Sequence, residues 1–269
     1  MYEILDHLPS DALVLDLCSA QGSFDASLYP FRTICLDLEA QRGVGPGCYV
    51  RGEAGRLPFR SQSFDAVIAN HALEHIEPLK PALQEMGRVV KKTGAAYVAV
   101  PDARRFCDRL YRKVFRNRGG HVNLFGSERE LETMLEWYLG LRHTGTRRLY
   151  SSFSYLNREN FRGQSEKRRQ LRMGPLPEMA VLTLTGLAAY VDRWTGGRLS
   201  EYGWALYFGA ATAEGENLNV CARCGAAVPP HLRRMRTWPV PLLRCPYCAG
   251  GAVDRVRILG DKKAKEECG

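Results

Sequence analysis

Short apolar runs alternate with amphipathic segments over the first hundred residues. The run Leu13–Leu17 is followed by small residues, which predicts a buried strand and a turn. Similar runs predict four more strands, at Phe31–Leu36, Cys48–Arg51, Phe64–Ala69 and Ala95–Val100. Apolar residues at helical spacing predict a helix over Pro78–Lys92. Continuous apolar strands that alternate with helices indicate an α/β fold with a parallel sheet, whose ligands bind beyond the carboxyl ends of the strands.

The pattern becomes more mixed after residue 100. Two helices and two strands are predicted there, the helices at Asp102–Arg118 and Ser127–Leu139 and the strands at Arg147–Leu156 and Tyr202–Gly209. An insert, residues 157–198, separates the two strands and is basic in its first part. Its apolar window Met179–Val191 is too short to cross a bilayer, which takes about 20 residues. We therefore expect a buried helix there, with a helix lying on a membrane as the alternative.

Charge is distributed unevenly along the chain. The net charge is +9, but residues 1–100 hold 9 basic and 12 acidic residues, whereas residues 101–269 hold 29 and 17. A basic half attracts polyanions such as RNA, anionic lipid headgroups or sugar nucleotides. A basic surface that is only solvated explains the same numbers, so both interpretations stay open. Met1–Ser10 lacks the pattern of a signal peptide, and we expect a cytoplasmic protein with no transmembrane segment.

The turn after the first strand carries the first candidate chemistry. A nucleotide-type cofactor needs small residues in this turn, because the backbone of the turn must approach the cofactor closely. The cofactor also needs helix N-terminal N–H groups nearby. The segment Asp16–Gly22 supplies small residues. Asp37, at the end of the second predicted strand, can accept hydrogen bonds from both hydroxyls of a ribose.

The order of these motifs resembles class I S-adenosylmethionine (SAM) dependent methyltransferases, in particular the type 11 branch. That family's first loop runs Asp-x-Gly-x-Gly-x-Gly, and here Cys18 and Ala20 replace two of the glycines. Gly52–Phe59 is similar to the family's Gly-Asp-Ala-x-x-Leu-Pro-Phe loop, and Ser63–His75 is similar to its fourth strand and following turn. The resemblance covers about residues 10–140 and implies a Rossmann-like, seven-stranded sheet that binds SAM. The residues it implies in cofactor binding are Asp16, Cys18, Ala20, Gly22, Asp37, Glu53, Ala54 and Asn70.

The gap between Asp37 and the third strand departs from that family. It is short and rich in glycine, so we expect the usual helix between these strands to be missing.

Three histidines are candidates for a general base in methyl transfer. A base helps when the methyl acceptor must lose a proton. His71 and His75 follow the fourth strand, and His121 precedes the second late helix; a packing or capping histidine is the alternative for each. The Pro-Pro-aromatic sequence that amino-group methylases carry after the position of Asn70 is absent, as is a Pro-Cys nucleophile. An oxygen on a small or glycan-like molecule and a base nitrogen in RNA both remain candidate acceptors.

Two Cys-x-x-Cys pairs lie near the C-terminus. Cys221 and Cys224 form the first pair, and Cys245 and Cys248 form the second, 20 residues later. Two such knuckles supply the four thiolates of a tetrahedral site, so the spacing predicts a structural zinc ion and resembles a zinc ribbon. Residues 217–257 hold seven arginines and one acidic residue, which suits RNA contact, although ribbons also serve as protein-docking modules.

These features predict three parts in the chain. Residues 1–213 form the methyltransferase domain, with residues 157–198 as a basic helical insert. Residues 214–258 form a zinc-ribbon-like domain, and residues 259–269 form a disordered tail. The expected function is SAM-dependent methylation of an anionic acceptor. The alternative is a non-catalytic module on the same fold that acts through the ribbon.

Overall fold

The computed structural model describes most of the chain. It covers residues 1–18, 22–38, 48–114, 120–150, 153–158, 176–211, 217–223, 227–228, 234–236, 242–245 and 249–254. The chain divides into two compact units. Unit 1 comprises Met1–Ala103, Gly120–Arg147 and Trp204–Glu216; unit 2 comprises Arg104–Gly119, Arg148–Gly203 and Asn217–Gly269.

Strands and helices alternate through the first part of the chain. The first strands are β1 (Leu13–Leu17), β2 (Arg32–Asp37), β3 (Cys48–Arg51), β4 (Phe64–Asn70) and β5 (Val90–Pro101). The later strands are β6 (His143–Tyr150), β7 (Glu201–Gly209), β8 (Asn217–Val220), β9 (Ala227–Val228), β10 (Arg234–Arg236), β11 (Leu242–Arg244) and β12 (Gly251–Val253). The helices are α1 (Tyr2–Leu5), α2 (Leu79–Val89), α3 (Phe106–Val114), α4 (Glu128–Leu139) and α5 (Glu178–Thr195).

The main sheet is mostly parallel, as the apolar runs predict. Its order is β3-β2-β1-β4-β5-β7-β6-β8-β9. The pairs β1–β2, β1–β4, β2–β3 and β4–β5 are all parallel, so their carboxyl ends lie at one edge. The prediction of seven strands is wrong in number, because the described residues contribute nine to this sheet. The two extra strands, β8 and β9, are short: β8 pairs in parallel with β6, and β9 pairs antiparallel with β8.

Several predicted boundaries also shift. The helix predicted over Pro78–Lys92 ends at Val89, because Val90 is already extended and begins β5. The helix predicted over Asp102–Arg118 begins at Phe106 and is described to Val114. The late strand predicted over Arg147–Leu156 is β6, and its last predicted residues, Ser154–Leu156, form a 3-10 helix instead. The cap at Ser127 is confirmed, since its side chain accepts a hydrogen bond from the backbone N–H of Glu130.

The core of unit 1 lies between the sheet and helices α2 and α4. Buried side chains of β1, β4 and β5 pack there with apolar residues of both helices, including Leu83, Met86, Leu131 and Leu135. The two helices lie close together at Gly87, where a Cβ atom would overlap the carbonyl of Tyr138. Glycine at this position therefore fixes the separation of the helices.

Unit 2 has its own core and its own buried charges. Apolar residues of α3 and α5 pack together with Phe153 and Leu156. The buried side chain of Glu201 forms ion pairs with Arg105 at 3.2 Å and Arg148 at 2.7 Å.

The described part of the basic insert contains one helix, α5. None of the helices in the described ranges is long and apolar enough to cross a membrane.

Substitution Gly87→Ala tests the contact between α2 and α4. The added methyl group must push the backbone of Tyr138 away, so we expect a loss of about 1–3 kcal/mol in the free energy of unfolding. Gln84→Ala, at an exposed position of the same helix, is the matched control. Urea unfolding of both variants measures the effect, and equal stabilities would contradict this packing.

Candidate cofactor and active site

Polar residues at the carboxyl ends of β1, β2 and β4 gather at one edge of the sheet. Asp16 lies between Cys35 of β2 and Ile68 of β4 in the strand register. The backbone N–H of Cys18 donates to the carbonyl of Leu36 at 2.7 Å, which extends the β1–β2 pairing into the turn. This edge is where parallel sheets bind ligands.

The carboxylate of Asp16 holds the turn after β1 in place. Both of its oxygens accept hydrogen bonds from Ser23, one from the backbone N–H at 2.7 Å and one from the hydroxyl at 2.6 Å. Asp16 is buried, and this burial raises its pKa from 3.8 to about 6. Gly22 has a φ of +98°, a backbone conformation that favours glycine, and Ala20 lies outside the described residues.

Cys18 occupies the turn as an uncharged thiol. Its φ of +52° is unusual for a residue with a side chain. Burial, together with the nearby charges of Asp37 and Asp16, raises the pKa of Cys18 to about 12. Because only the thiolate is a good nucleophile, Cys18 is suited to filling space beside a cofactor.

Asp37 and the loop Gly52–Phe59 form the next part of the edge. The backbone N–H of Gly52 donates to the carbonyl of Asp37 at 3.0 Å. A Cβ atom on Gly52 would lie only 3.0 Å from the side chain of Leu36, so the loop passes close to β2. In the loop, Glu53 is exposed and Ala54 is buried.

Helix α2 anchors the rest of this loop. Glu85 accepts a hydrogen bond from the backbone N–H of Leu57 at 2.7 Å. Arg88 donates to the carbonyl oxygens of Leu57 and Phe59, at 3.1 and 2.8 Å, and pairs with Glu85. The loop is therefore held through its backbone, which leaves the side chain of Glu53 at the surface.

The predicted candidate bases converge after β4. His71 directly follows Asn70, has a φ of +54°, and its backbone N–H donates to the carbonyl of Ala99. Leu73–His75 form one turn of 3-10 helix. The rings of His75 and His121 lie 5.0 Å apart between centroids, although 45 residues separate them in the sequence.

A backbone hydrogen bond from Val122 and the side chain of Asn123 bring His121 to this turn. The N–H of Val122 donates to the carbonyl of Glu74 at 2.8 Å. The side-chain amide of Asn123 donates to the carbonyls of Leu73 and Ile76, both at 2.7 Å. These bonds fix the segment that carries His121 against the turn that carries His75.

Glu74 is the residue that the sequence analysis missed. Its side chain is 1% exposed, and His71 Nδ1 lies 3.4 Å from its carboxylate. Burial acts to raise the pKa of Glu74, but the interaction with His71 and the charges of His71, His75 and His121 outweigh it and lower the pKa. The spacing His71-x-x-Glu74-His75 is present in the sequence, but nothing in this polar segment indicates that the carboxylate of Glu74 is buried.

Comparison with known proteins agrees with this geometry. Residues 15–98 match the model of the methyltransferase domain family. The fold is that of SAM-dependent methyltransferases. It is shared with a SAM-dependent methyltransferase from Thermotoga maritima, at 17% identity and a TM-score of 0.50, over 78% of this chain and 86% of that one.

Two curated relatives match over shorter segments. A demethylmenaquinone methyltransferase from Beutenbergia cavernae is 34% identical over 94 residues, which are 32% of this chain and 39% of the relative. The biotin biosynthesis bifunctional protein BioHC from Cellvibrio japonicus is 27% identical over 168 residues, 56% of this chain and 33% of the relative. The matches thus span about a third to two fifths of these relatives.

The cysteine pairs are described only in part. Cys224 and Cys248 lie outside the described residues. Cys221 and Cys245 are buried in one cluster with Val228, Leu243 and Ala252. The backbone N–H of Arg223 donates to the sulfur of Cys221 at 3.4 Å, a contact that suits a thiolate ligand. The zinc site remains a prediction.

The raised pKa of Asp16 gives stability a defined dependence on pH. The folded pKa is about 6 and the ordinary value is 3.8, so the folded state retains a proton that the unfolded state loses. Stability therefore falls as pH rises through this window, by about 2 kcal/mol between pH 4 and pH 7 for a shift of roughly two units. The substitution Asp16→Asn removes this pH-dependent contribution to stability and keeps the shape of the side chain.

The measurement is the free energy of unfolding of the wild type and Asp16→Asn across that range. We expect the wild type to lose stability relative to the variant as pH rises. A difference that does not change with pH would contradict the assignment.

Proposed function

We propose that the chain is a SAM-dependent methyltransferase that transfers a methyl group to an oxygen or nitrogen of an anionic acceptor. One observation carries the proposal: Asp16, Asp37 and the anchored loop Gly52–Phe59 meet at a single sheet edge. In this assignment Asp37 accepts hydrogen bonds from the ribose hydroxyls. Glu53 and Ala54 border the adenine, and the small residues after β1 let the backbone approach the cofactor.

The reaction needs little beyond positioning. The acceptor attacks the methyl carbon of the sulfonium in line, and the carbon–sulfur bond breaks with its electrons left on sulfur. Holding the acceptor about 3 Å from the methyl group supplies much of the rate. Where the acceptor must lose a proton, His71 or His75 is the candidate base, since both follow β4 at the same edge as Asn70.

The net charge of +9 is a reason to favour an anionic acceptor. Arg109 and Lys113 are exposed on one face of α3, one helical turn apart. RNA and a small or glycan-like molecule with negative charge both fit this chemistry. The alternative of a non-catalytic module acting through the ribbon gains no support from the described residues or from the comparisons.

Asp37→Ala tests the cofactor assignment. Loss of hydrogen bonds to a charged acceptor costs about 1.5–3 kcal/mol, so we expect roughly 10-fold or greater weakening of S-adenosylhomocysteine binding. Asp11→Ala is the matched control, because Asp11 is an exposed acid at the opposite end of β1. Isothermal titration calorimetry measures both. Binding that is equal in the two variants would refute the role of Asp37, and no binding by the wild type would refute the function.

We also propose that Cys221, Cys224, Cys245 and Cys248 hold one structural zinc ion. The shared burial of Cys221 and Cys245, together with the N–H contact to the sulfur of Cys221, supports this. Four protein ligands complete a tetrahedral site and leave no open position for catalysis. The ion would stabilise a small module that docks either RNA or a protein.

Metal analysis of the purified chain tests the zinc proposal. We expect Cys221→Ser to lose one equivalent of zinc and to lower the melting temperature, because the ion contributes folding energy. Cys48→Ser replaces an exposed cysteine outside the two pairs. It should leave both the zinc content and the melting temperature unchanged. Unchanged zinc content in Cys221→Ser would contradict the site.

A further inference from the structure

A second set of metal-ligating side chains lies beside the turn after β4. Glu74, His75 and His121 each offer one donor atom, and these atoms all lie within 4.8 Å of one another. All three residues belong to unit 1. Two imidazoles and one carboxylate are a donor set that binds divalent transition metals.

Glu74 is the residue that points to a bound ligand. Its carboxylate is 1% exposed, and neither oxygen accepts a well-formed hydrogen bond within the described part of the chain. The contact of 3.4 Å to His71 is long for a hydrogen bond. A buried carboxylate without hydrogen bonds is costly, and a metal ion beside it would remove that cost.

The neighbouring backbone orients the two histidines. His75 Nδ1 lies 3.1 Å from the carbonyl oxygen of Gly120, whose φ of +78° turns the chain towards the ring. When Nδ1 carries the proton and donates to this carbonyl, Nε2 keeps a lone pair for a metal. His121 is held by the adjacent bond from Val122 to Glu74. The contact of His75 with Gly120 is typical of metal-ligating histidines, which are commonly oriented by a hydrogen bond from the second ring nitrogen.

We propose that Glu74, His75 and His121 form a binding site for a divalent transition-metal ion, distinct from the four cysteines. Ligand distances of about 2.0–2.2 Å require these donor atoms to move somewhat closer together when the ion binds. Three protein ligands leave coordination positions open, and the exposure of His75 gives solvent access to them.

The consequence for catalysis rests on the proposed function. With His75 bound to the ion and therefore not acting as a base, an acceptor hydroxyl at an open position would release its proton to solvent, because a divalent ion lowers the pKa of a bound oxygen. The resulting alkoxide attacks the methyl carbon, and the sulfonium sulfur leaves with the bonding electrons as a neutral thioether. The site would therefore favour oxygen acceptors over nitrogen acceptors.

Cobalt binding to the zinc-loaded full chain tests the site. We expect one equivalent of Co²⁺ to bind by calorimetry while zinc content stays constant. The visible spectrum should show the weak bands of nitrogen and oxygen ligands, without intense thiolate charge-transfer bands. His75→Ala and Glu74→Gln should each raise the Kd for Co²⁺ by at least about 10-fold.

His143→Ala is the matched control, because His143 is a partly buried histidine of the same unit that contacts Glu132 and Thr146 instead. It should bind Co²⁺ as the wild type does. His75→Ala keeps the test decisive if Glu74→Gln unfolds, since His75 is exposed. No Co²⁺ binding beyond displacement of zinc, or equal binding by all variants, would overturn the proposal.

S-adenosylhomocysteine titrations on the same samples separate this inference from the proposed function. Co²⁺ binding without cofactor binding would refute only the methyltransferase activity. Cofactor binding without a Co²⁺ site would refute only the metal proposal.

Discussion

The hydrogen bonds between Asp16 and Ser23 are the interaction on which the candidate site depends. A strand that is buried on both faces can carry a carboxylate only at its end, and only if hydrogen bonds replace water. Ser23 supplies two such bonds across the turn. They tie Ser23 to a carboxylate whose pKa is raised by burial, and so hold Gly22 and Ser23 beside the carboxyl end of β1.

The two other segments at this edge of the sheet are also held by hydrogen bonds between side chains and the backbone. Glu85 and Arg88 of α2 hold the loop Gly52–Phe59, and Asn123 holds the turn that carries Glu74 and His75. In each case one polar side chain from a neighbouring segment satisfies backbone groups of a loop. Such an edge is preorganised, which reduces the cost of ordering loops when a cofactor binds.

The sequence predicted the parts of this fold that depend on local pattern. Apolar runs located β1 to β5, and the small residues with Asp37 located the cofactor edge, because strand ends in a parallel sheet must meet. The two short strands β8 and β9 carry too little pattern to be recognised. The boundary between α2 and β5 was also missed. The apolar residues keep helical spacing through Val90, whereas the backbone of Val90 is already extended.

The cluster of His71, His75 and His121 shows a second limit of prediction from the sequence, which is that local pattern does not reveal long-range contacts. His71, His75 and His121 were each predicted as candidate bases, but nothing local to His121 indicates that it lies beside His75. That contact depends on hydrogen bonds from Val122 and Asn123 to a turn about fifty residues earlier. Glu74 lies beside His121 only through this long-range contact, so the local sequence does not single it out from the surface acids.

Amide hydrogen exchange with and without S-adenosylhomocysteine tests most directly the claim that one edge of the sheet binds the cofactor. The account predicts slower exchange in peptides that cover Leu13–Phe24, Asp37 and Gly52–Phe59, with no change in peptides from α5. Protection confined to other segments, or none at saturating ligand, would contradict it.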